Sequence, residues 1–192
     1  SGGSFTLSTL SGATLINVGN LTLGAGTTFG LTGAITTTGN QTYNGVISLV
    51  GATTLSATGK TVIFNNTVDG NNTLTLAAGI TSAQVNATIG GTTAINAFAV
   101  NAPLLIGASI STVAAQTYSS AIVINNNDLA VPVKTLTSGG TNITFSSTID
   151  GTSANSQNLT IVNAGGSVTF NAPVGSTTNL SNLNITGTGT IT

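Results

Sequence analysis

The sequence is almost free of charge. Its 192 residues include two lysines and three aspartates, and they lack arginine, glutamate and histidine. Charged residues make up 3% of the chain, whereas ordinary globular domains carry about a quarter. General acid–base and nucleophilic catalysis require titratable side chains that converge in a pocket. We therefore predict that the chain is not an enzyme, and that it has no catalytic residue and no cofactor.

The shortage of positive charge also argues against two kinds of partner. Lys60 and Lys134 are the only cations, too few to neutralise a run of phosphates or to hold an anionic lipid surface. The most apolar stretch, residues 97–110, is interrupted by Asn101 and Pro103, so no run approaches the roughly 20 apolar residues of a membrane-spanning helix. We expect neither nucleic-acid binding nor membrane insertion.

Cysteine and histidine, the usual ligands of transition metals, are absent. Asp128 follows three asparagines, Asn125 to Asn127, and such oxygen-rich loops can bind Ca²⁺. A loop cluster without a metal is the favoured interpretation of this stretch. We therefore predict no metal site.

Two phrases of the sequence occur twice. Gln41-Thr42-Tyr43 recurs as Gln116-Thr117-Tyr118, and the stretch 62–70 recurs as 143–151. Recurring residues are expected to have the same structural task at each occurrence: packing for the tyrosines, core positions for the phenylalanines, and turns for the aspartates that precede glycine. The paired positions are Tyr43 and Tyr118, Phe64 and Phe145, and Asp69 and Asp150.

A third phrase extends the repetition to both ends of the chain. Residues 90–95 resemble residues 174–180, and the strand-like runs Phe98-Ala99-Val100 and Leu183-Asn184-Ile185 follow them; Leu21-Thr22-Leu23 has the same position near the start. Residues 1–192 are therefore expected to form a single repetitive domain. It holds two long repeats of roughly 75–85 residues each, with partial repeats at its ends. We expect it to be a fragment of a longer array.

Short runs with apolar residues at alternate positions, rich in valine, isoleucine, threonine and phenylalanine, recur at short intervals between glycine and asparagine turns. This pattern predicts an all-β chain. Repetition of the text favours a parallel β-solenoid, in which each coil of about 20–27 residues covers the previous one and equivalent phrases lie above one another. An antiparallel β-sandwich fibre subunit is the alternative.

The blocks 35–45 and 62–70 resemble the degenerate repeats of large bacterial exoproteins, namely filamentous-haemagglutinin-like and autotransporter-passenger adhesins. The resemblance implies a right-handed parallel β-helix in an extracellular or cell-surface protein that is secreted across the outer membrane. It implies a structural or adhesive fibre, with neighbouring repeats or self-association as the partner and a host-surface or matrix receptor of unknown identity. It brings no catalytic residue.

Two other functions remain open at this stage. A self-assembling pilus or surface-layer subunit would also suit a chain with few charges to block edge pairing. An ice-binding β-solenoid would present threonine pairs on a flat face, and the candidate pairs are Thr36 and Thr38, Thr73 and Thr75, and Thr186 and Thr188.

Asparagine has two further predicted roles. Stacked asparagines can form ladders, with Asn65, Asn101 and Asn171 as candidates. Asn-x-Ser/Thr triplets accept N-glycans in exported proteins, and the candidate acceptors are Asn20, Asn71, Asn142 and Asn158.

Overall fold

A computed structural model describes residues 4–7, 11–125 and 133–192. In these ranges the regular structure consists of β-strands alone, and no helix is present. The strands, in chain order, are β1 Ser4–Leu7, β2 Ser11–Val18, β3 Asn20–Leu23, β4 Thr28–Thr37, β5 Gln41–Tyr43, β6 Val46–Ser56, β7 Thr61–Phe64, β8 Val68–Asp69, β9 Leu74–Leu76, β10 Ser82–Val85, β11 Phe98–Val100, β12 Leu104–Ile106, β13 Ile110–Thr112, β14 Gln116–Tyr118, β15 Ile122–Ile124, β16 Val133–Ser138, β17 Ile143–Phe145, β18 Ile149–Gly151, β19 Asn158–Asn163, β20 Val168–Phe170 and β21 Asn182–Gly187.

The strands pair in parallel and form three sheets. One sheet runs β1-β3-β5-β7-β10-β12-β15-β18, a second runs β2-β4-β6-β9-β11-β14-β17-β20 with β8 paired to β6, and a third runs β13-β16-β19-β21. Because β4 and β6 turn a corner, their first halves align with β8 and, through the bridges of Ile89, with β13. We call the first sheet face 1. Face 2 comprises the first halves of β4 and β6, followed by β8, Ile89, β13, β16, β19 and β21. Face 3 comprises the second halves of β4 and β6, followed by β9, β11, β14, β17 and β20.

Each coil of the chain therefore visits face 1, face 2 and face 3 and returns to face 1 directly above its start. Residues alternate between inward and outward along every strand, so inward side chains form columns that run along the rod. Burying one large apolar side chain contributes about 1.5–3 kcal/mol, and these columns form one continuous apolar core. On face 1 the column is Leu23, Tyr43, Phe64, Val85, Ile106 and Ile124; on face 2 it is Phe29, Ile47, Val68, Ile89, Ile110, Leu136, Ile161 and Ile185.

Coil length varies along the rod. Register partners on face 1 follow one another at nearly equal intervals from Leu21 to Leu104, but the coil from Leu104 to Ile122 is shorter and the coil from Ile122 to Ile149 is longer. The longest of these coils contains residues 126–132, which lie outside the described ranges. Inward columns stay aligned because the strand register is kept between coils of different length.

The long repeat does not contain a whole number of coils. We count each passage of the chain across a face as one position. Tyr43 lies on face 1, and Tyr118 lies eleven positions later, on face 3. Eleven positions also separate Phe64 on face 1 from Phe145 on face 3, and Asp69 on face 2 from Asp150 on face 1. Since a coil has three positions, each repeat spans three and two-thirds coils. The expectation that equivalent phrases lie above one another is therefore wrong, and each repeat is rotated by one face.

The predicted fold class is confirmed. The chain is an all-β parallel solenoid with about eight turns, as the eight strands of face 1 show. Every pair of strands in the described ranges is parallel, so the alternative of an antiparallel β-sandwich is wrong; one isolated antiparallel bridge joins Thr58 to Ile80. At about 4.8 Å per turn the stack is roughly 35–40 Å long.

Candidate functional site

The first Gln-Thr-Tyr phrase builds a buried polar cluster at the corner between face 3 and face 1. Gln41 is fully buried, and its Nε2 donates to the carbonyl of Ser56 in the next coil at 3.0 Å. The same nitrogen donates to Thr37 Oγ1 and to the carbonyl of Ile35, both at 3.2 Å. The Tyr43 hydroxyl donates to Gln41 Oε1 at 2.8 Å. The cluster satisfies its own polar groups in an apolar interior, as buried polar groups must be.

The second phrase reproduces this cluster on another face. Gln116 Nε2 donates to the carbonyl of Thr137 in the next coil at 2.7 Å and to Thr112 Oγ1 at 3.3 Å. The Tyr118 hydroxyl donates to Gln116 Oε1 at 2.8 Å. The shared pattern is Thr-x3-Gln-x-Tyr, so equivalent phrases have the same local contacts although their faces differ. Burial raises the pKa of both tyrosines far above the usual value, so neither hydroxyl ionises at physiological pH.

Each tyrosine ring stacks on the phenylalanine of the next coil. Tyr43 and Phe64 have ring centroids 5.0 Å apart, and Tyr118 and Phe145 have theirs 5.1 Å apart. Phe170 extends the second stack at 5.1 Å. These offset stacks add about 0.5–1.5 kcal/mol per pair to the burial of the rings. The recurring aromatics therefore lie in the core and offer no surface to a ligand.

The two recurring aspartates bind the backbone of the following coil. Asp69 Oδ1 accepts the amides of Thr92 and Thr93 at 2.8 and 3.0 Å. Asp150 Oδ1 accepts the corresponding amides of Thr177 and Thr178 at the same two distances. Partial burial raises the pKa of Asp150, but these amides and a hydrogen bond from the Thr148 side chain outweigh that effect and hold the pKa below its usual value. Both carboxylates thus hold the corner of the next coil in place.

Asparagine forms a short ladder at the corner after face 1. Asn65 Nδ2 donates to Asn44 Oδ1, and Asn86 Nδ2 donates to Asn65 Oδ1, both at 2.8 Å. Of the three predicted ladder residues, Asn65 is therefore in a ladder, but Asn101 accepts from Ser119 instead. Asn171 is exposed at a corner.

The candidate glycan acceptors lie at different places on the rod. Asn20, Asn71 and Asn142 are exposed at corners or strand ends, and Asn158 is half-buried within β19. Asn20 Oδ1 accepts the amide of Asn40, and Asn142 Oδ1 accepts the amide of Ser167. Two of the four side chains thus already take part in contacts between coils.

Outward threonines form a column on face 3. Paired register places Thr54, Thr75, Thr117, Thr144 and Thr169 in one line, with Ala99 as the single interruption between Thr54 and Thr169. Of the predicted threonine pairs, Thr73 and Thr75 lie at this face, whereas Thr186 belongs to β21 on face 2. Neighbouring threonines of the column are therefore separated by the spacing between parallel strands.

Lys134 is the one charged side chain that is fully buried among the four that the structure describes, with 1% of its surface exposed. In the strand register its neighbour in the next coil is Leu159 of β19, a core residue. No group of three or more aspartate, glutamate, cysteine or histidine side chains comes together in the described ranges. Asp128, the candidate calcium ligand, lies outside them.

Sequence reasoning missed Gln41, Gln116, Thr37 and Thr112 as members of the clusters. The sequence did contain a signal for the glutamines. Each one lies two residues before the recurring tyrosine, and residues two apart in a strand point to the same side of the sheet, so a buried tyrosine implies a buried glutamine. Within the part of the chain that the structure describes, no helix is suited to cross a membrane.

Comparison of the chain with protein-family models, with curated proteins and with solved structures finds no match. The fold itself, a parallel β-solenoid, is consistent with a structural, rod-like protein.

Proposed function

We propose that the chain is a structural and adhesive rod of a bacterial cell-surface or secreted fibre protein, and that it performs no catalysis. One observation carries the proposal: the strands stack in parallel along the whole described length, around a continuous apolar core. Such a stack can be lengthened coil by coil without a change in its cross-section. The outer surface consists mainly of uncharged polar residues, which suits a spacer that holds a binding region away from a cell.

Location tests this proposal first. Antibodies raised against the folded chain are expected to label intact cells of the organism that makes the protein, or fibres shed from them, and external protease is expected to remove the label. Labelling that appears only after lysis would contradict a surface role.

Adhesion is tested separately with beads that carry the folded chain. The beads are expected to adhere to host cells or to extracellular matrix, and beads carrying the urea-unfolded chain serve as the control. Equal adhesion of both preparations would show that the solenoid surface has no part in adhesion.

The threonine column on face 3 supports a second candidate, an ice-binding β-solenoid. Five of its six positions from Thr54 to Thr169 are threonine, and they lie in one column of register partners. If this candidate is correct, dilute chain shows thermal hysteresis, and replacing Thr117 and Thr144 with lysine abolishes it. Absence of hysteresis in the unmodified chain removes the candidate.

A self-assembling subunit of a pilus or surface layer is the third candidate, because the chain carries few charged residues that would block edge pairing between copies. Electron microscopy of concentrated chain is expected to show filaments if folded copies stack end to end. Isolated particles of the length of one rod would argue against this candidate.

A further inference from the structure

The outer side of face 1 carries an apolar groove. Leu105 and Val123 are register partners in neighbouring coils, and both point outward and are half-buried. An open groove of about 240 Å³ lies beside them, lined by Ser82, Pro103, Leu104, Leu105, Ala121 and Val123. On a rod whose outer surface is mainly uncharged and polar, an apolar groove of this kind is a candidate contact surface.

The backbone around the groove is already hydrogen-bonded. The Pro103 carbonyl accepts the amide of Ala83 at 2.8 Å, and the Ala121 carbonyl accepts the amide of Leu104 at 3.0 Å. Proline has no N–H to donate, and β12 has a paired strand on each side. Ser82 is the one polar residue of the lining. The groove therefore suits an aliphatic group better than a polar or charged ligand.

The chain carries protruding aliphatic side chains at the corner between face 2 and face 3. Val50 is 55% exposed and Val113 is 49% exposed there. Gly51 follows Val50 in the sequence, and Gly139 of the next coil lies against the backbone of Val113. Since glycine has no side chain to cover a neighbour, both valines stand clear of the corner.

Groove and corner lie at the same height on opposite sides of the rod. The corner between face 2 and face 3 does not border face 1, so it lies across the core from the groove. Val113 belongs to the coil that leaves face 1 at β12 and returns to it at β15. Because a coil rises by one strand spacing, about 4.8 Å, Val113 lies half a spacing above Leu105 and half a spacing below Val123.

We propose that the groove on face 1 binds a second copy of this chain, with Val113 of that copy seated between Leu105 and Val123. A sideways translation of the rod, without rotation or axial shift, makes this contact. Because groove and corner are different surfaces of one chain, the contact is heterologous and gives an open row of parallel rods. The proposal rests on the proposed rod function and identifies the partner of the rod as a laterally packed copy.

Val50 makes a second contact under the same translation. It belongs to the coil that leaves face 1 at β5 and returns to it at β7, so it lies at the height between Thr42 and Ile63. Both of these residues point outward on face 1, and Ile63 offers a further aliphatic side chain. The contact residues are uncharged. Salt should therefore not weaken the association.

Analytical ultracentrifugation of the folded chain tests the site. A small apolar contact is weak, so the concentration series extends to about 1 mM. We expect the average mass to rise with concentration. Val113→Lys blocks the corner and Leu105→Lys blocks the groove, and each is expected to raise the dissociation constant at least about tenfold. Both side chains point outward, so circular dichroism of the two variants should match that of the unmodified chain.

Two controls make the test specific. Thr144→Lys adds the same charge to the outward side of face 3 and is expected to leave the association unchanged. A Val113→Lys copy keeps its groove and a Leu105→Lys copy keeps its corner, so their equimolar mixture should form pairs that grow no further. Association of either variant at unmodified strength, or a mixture that stays monomeric, overturns the proposal, as does an unmodified chain that stays monomeric at the highest concentration.

The same measurements separate failure of the site from failure of the rod. Rods that stack end to end do not use Leu105 or Val113, so association that persists in both variants assigns the contact to the ends and overturns the lateral site alone. Strand-type circular dichroism of the unmodified chain is required by the rod itself. Its absence would contradict the proposed function as well.

Discussion

A glutamine at the corner of an apolar rod provides the hydrogen bonds that backbone carbonyls would otherwise seek from water. Gln116 donates to the carbonyl of Thr137 in the next coil and accepts from the Tyr118 hydroxyl. Gln116→Leu keeps the volume, but it leaves the buried Tyr118 hydroxyl without its acceptor and leaves the Thr137 carbonyl with only the long contact from Thr112 Oγ1 at 3.4 Å. We expect a loss of about 2–4 kcal/mol of unfolding free energy, measured from urea denaturation.

Two variants show whether the loss comes from the cluster. Thr117 lies between Gln116 and Tyr118 but faces outward, so Thr117→Val is expected to change stability by no more than about 0.5 kcal/mol. Tyr118→Phe removes the donor to Gln116, and the double variant should lose clearly less than the sum of the single losses. Additive losses would mean that the glutamine and the tyrosine act independently.

Asp150 makes the stability of the rod weakly dependent on pH in the acidic range. Its folded pKa lies below the usual value near 3.8, so its contribution is complete above the unfolded pKa and is lost as the pH falls through the lower folded pKa. We expect Asp150→Ala to cost about 1 kcal/mol at neutral pH, since the carboxylate is largely solvated. The difference from the unmodified chain should vanish toward pH 2 in urea titrations. A difference that persists at that pH would assign the loss to packing rather than to the carboxylate.

At the scale of the corner, two adjacent glycines have opposite tolerance to a side chain. A Cβ on Gly166 would overlap the backbone of Thr141 and Asn142 in the coil beneath, whereas a Cβ on Gly165 would have ordinary contacts at 3.8–3.9 Å. We expect Gly166→Ala to destabilise the chain by about 1–3 kcal/mol and Gly165→Ala to change its stability by less than about 1 kcal/mol. Thermal unfolding followed by circular dichroism measures both. Similar effects of the two substitutions would contradict close stacking at this corner.

The strands and their parallel stacking were predictable because alternation and repeated text are both visible in the sequence. The face of each phrase was not. The separation of Tyr43 from Tyr118 is 118 − 43 = 75 residues, which at the predicted length of about 20–27 residues per coil fits any value from just under three coils to almost four, and coil length differs from one coil to the next. The recurrence of the tyrosines pointed to packing, but only the fold shows that Gln41 and Gln116 are buried with them.

For the whole molecule, the rotation of the repeat by one face changes what the rod presents to its surroundings. Asp69 lies on face 2 and Asp150 on face 1, so a feature present once per repeat winds around the rod. Three repeats make eleven whole coils, after which the feature returns to its first face. A feature that occurs once per repeat therefore has no single side of the rod, unlike the threonine column, which stays on face 3. The Gln–Tyr cluster shows that one local arrangement fits at more than one position around the rod.

The stacking of each coil on its neighbour predicts that one whole coil can be removed. Contacts between strands join neighbouring coils, so deleting residues 66–86, which form one coil, lets Ile89 stack on Ile47 and Leu104 on Val62. The matched deletion of residues 44–64 has the same length but removes Phe64, the stacking partner of Tyr43. We expect both chains to keep strand-type circular dichroism, and the second to be less stable by about 0.5–1.5 kcal/mol in urea. If stability comes only from contacts between adjacent coils, a rod that is one coil shorter must still fold, because each coil still covers the one beneath it. An unfolded chain after the first deletion would therefore contradict this source of stability.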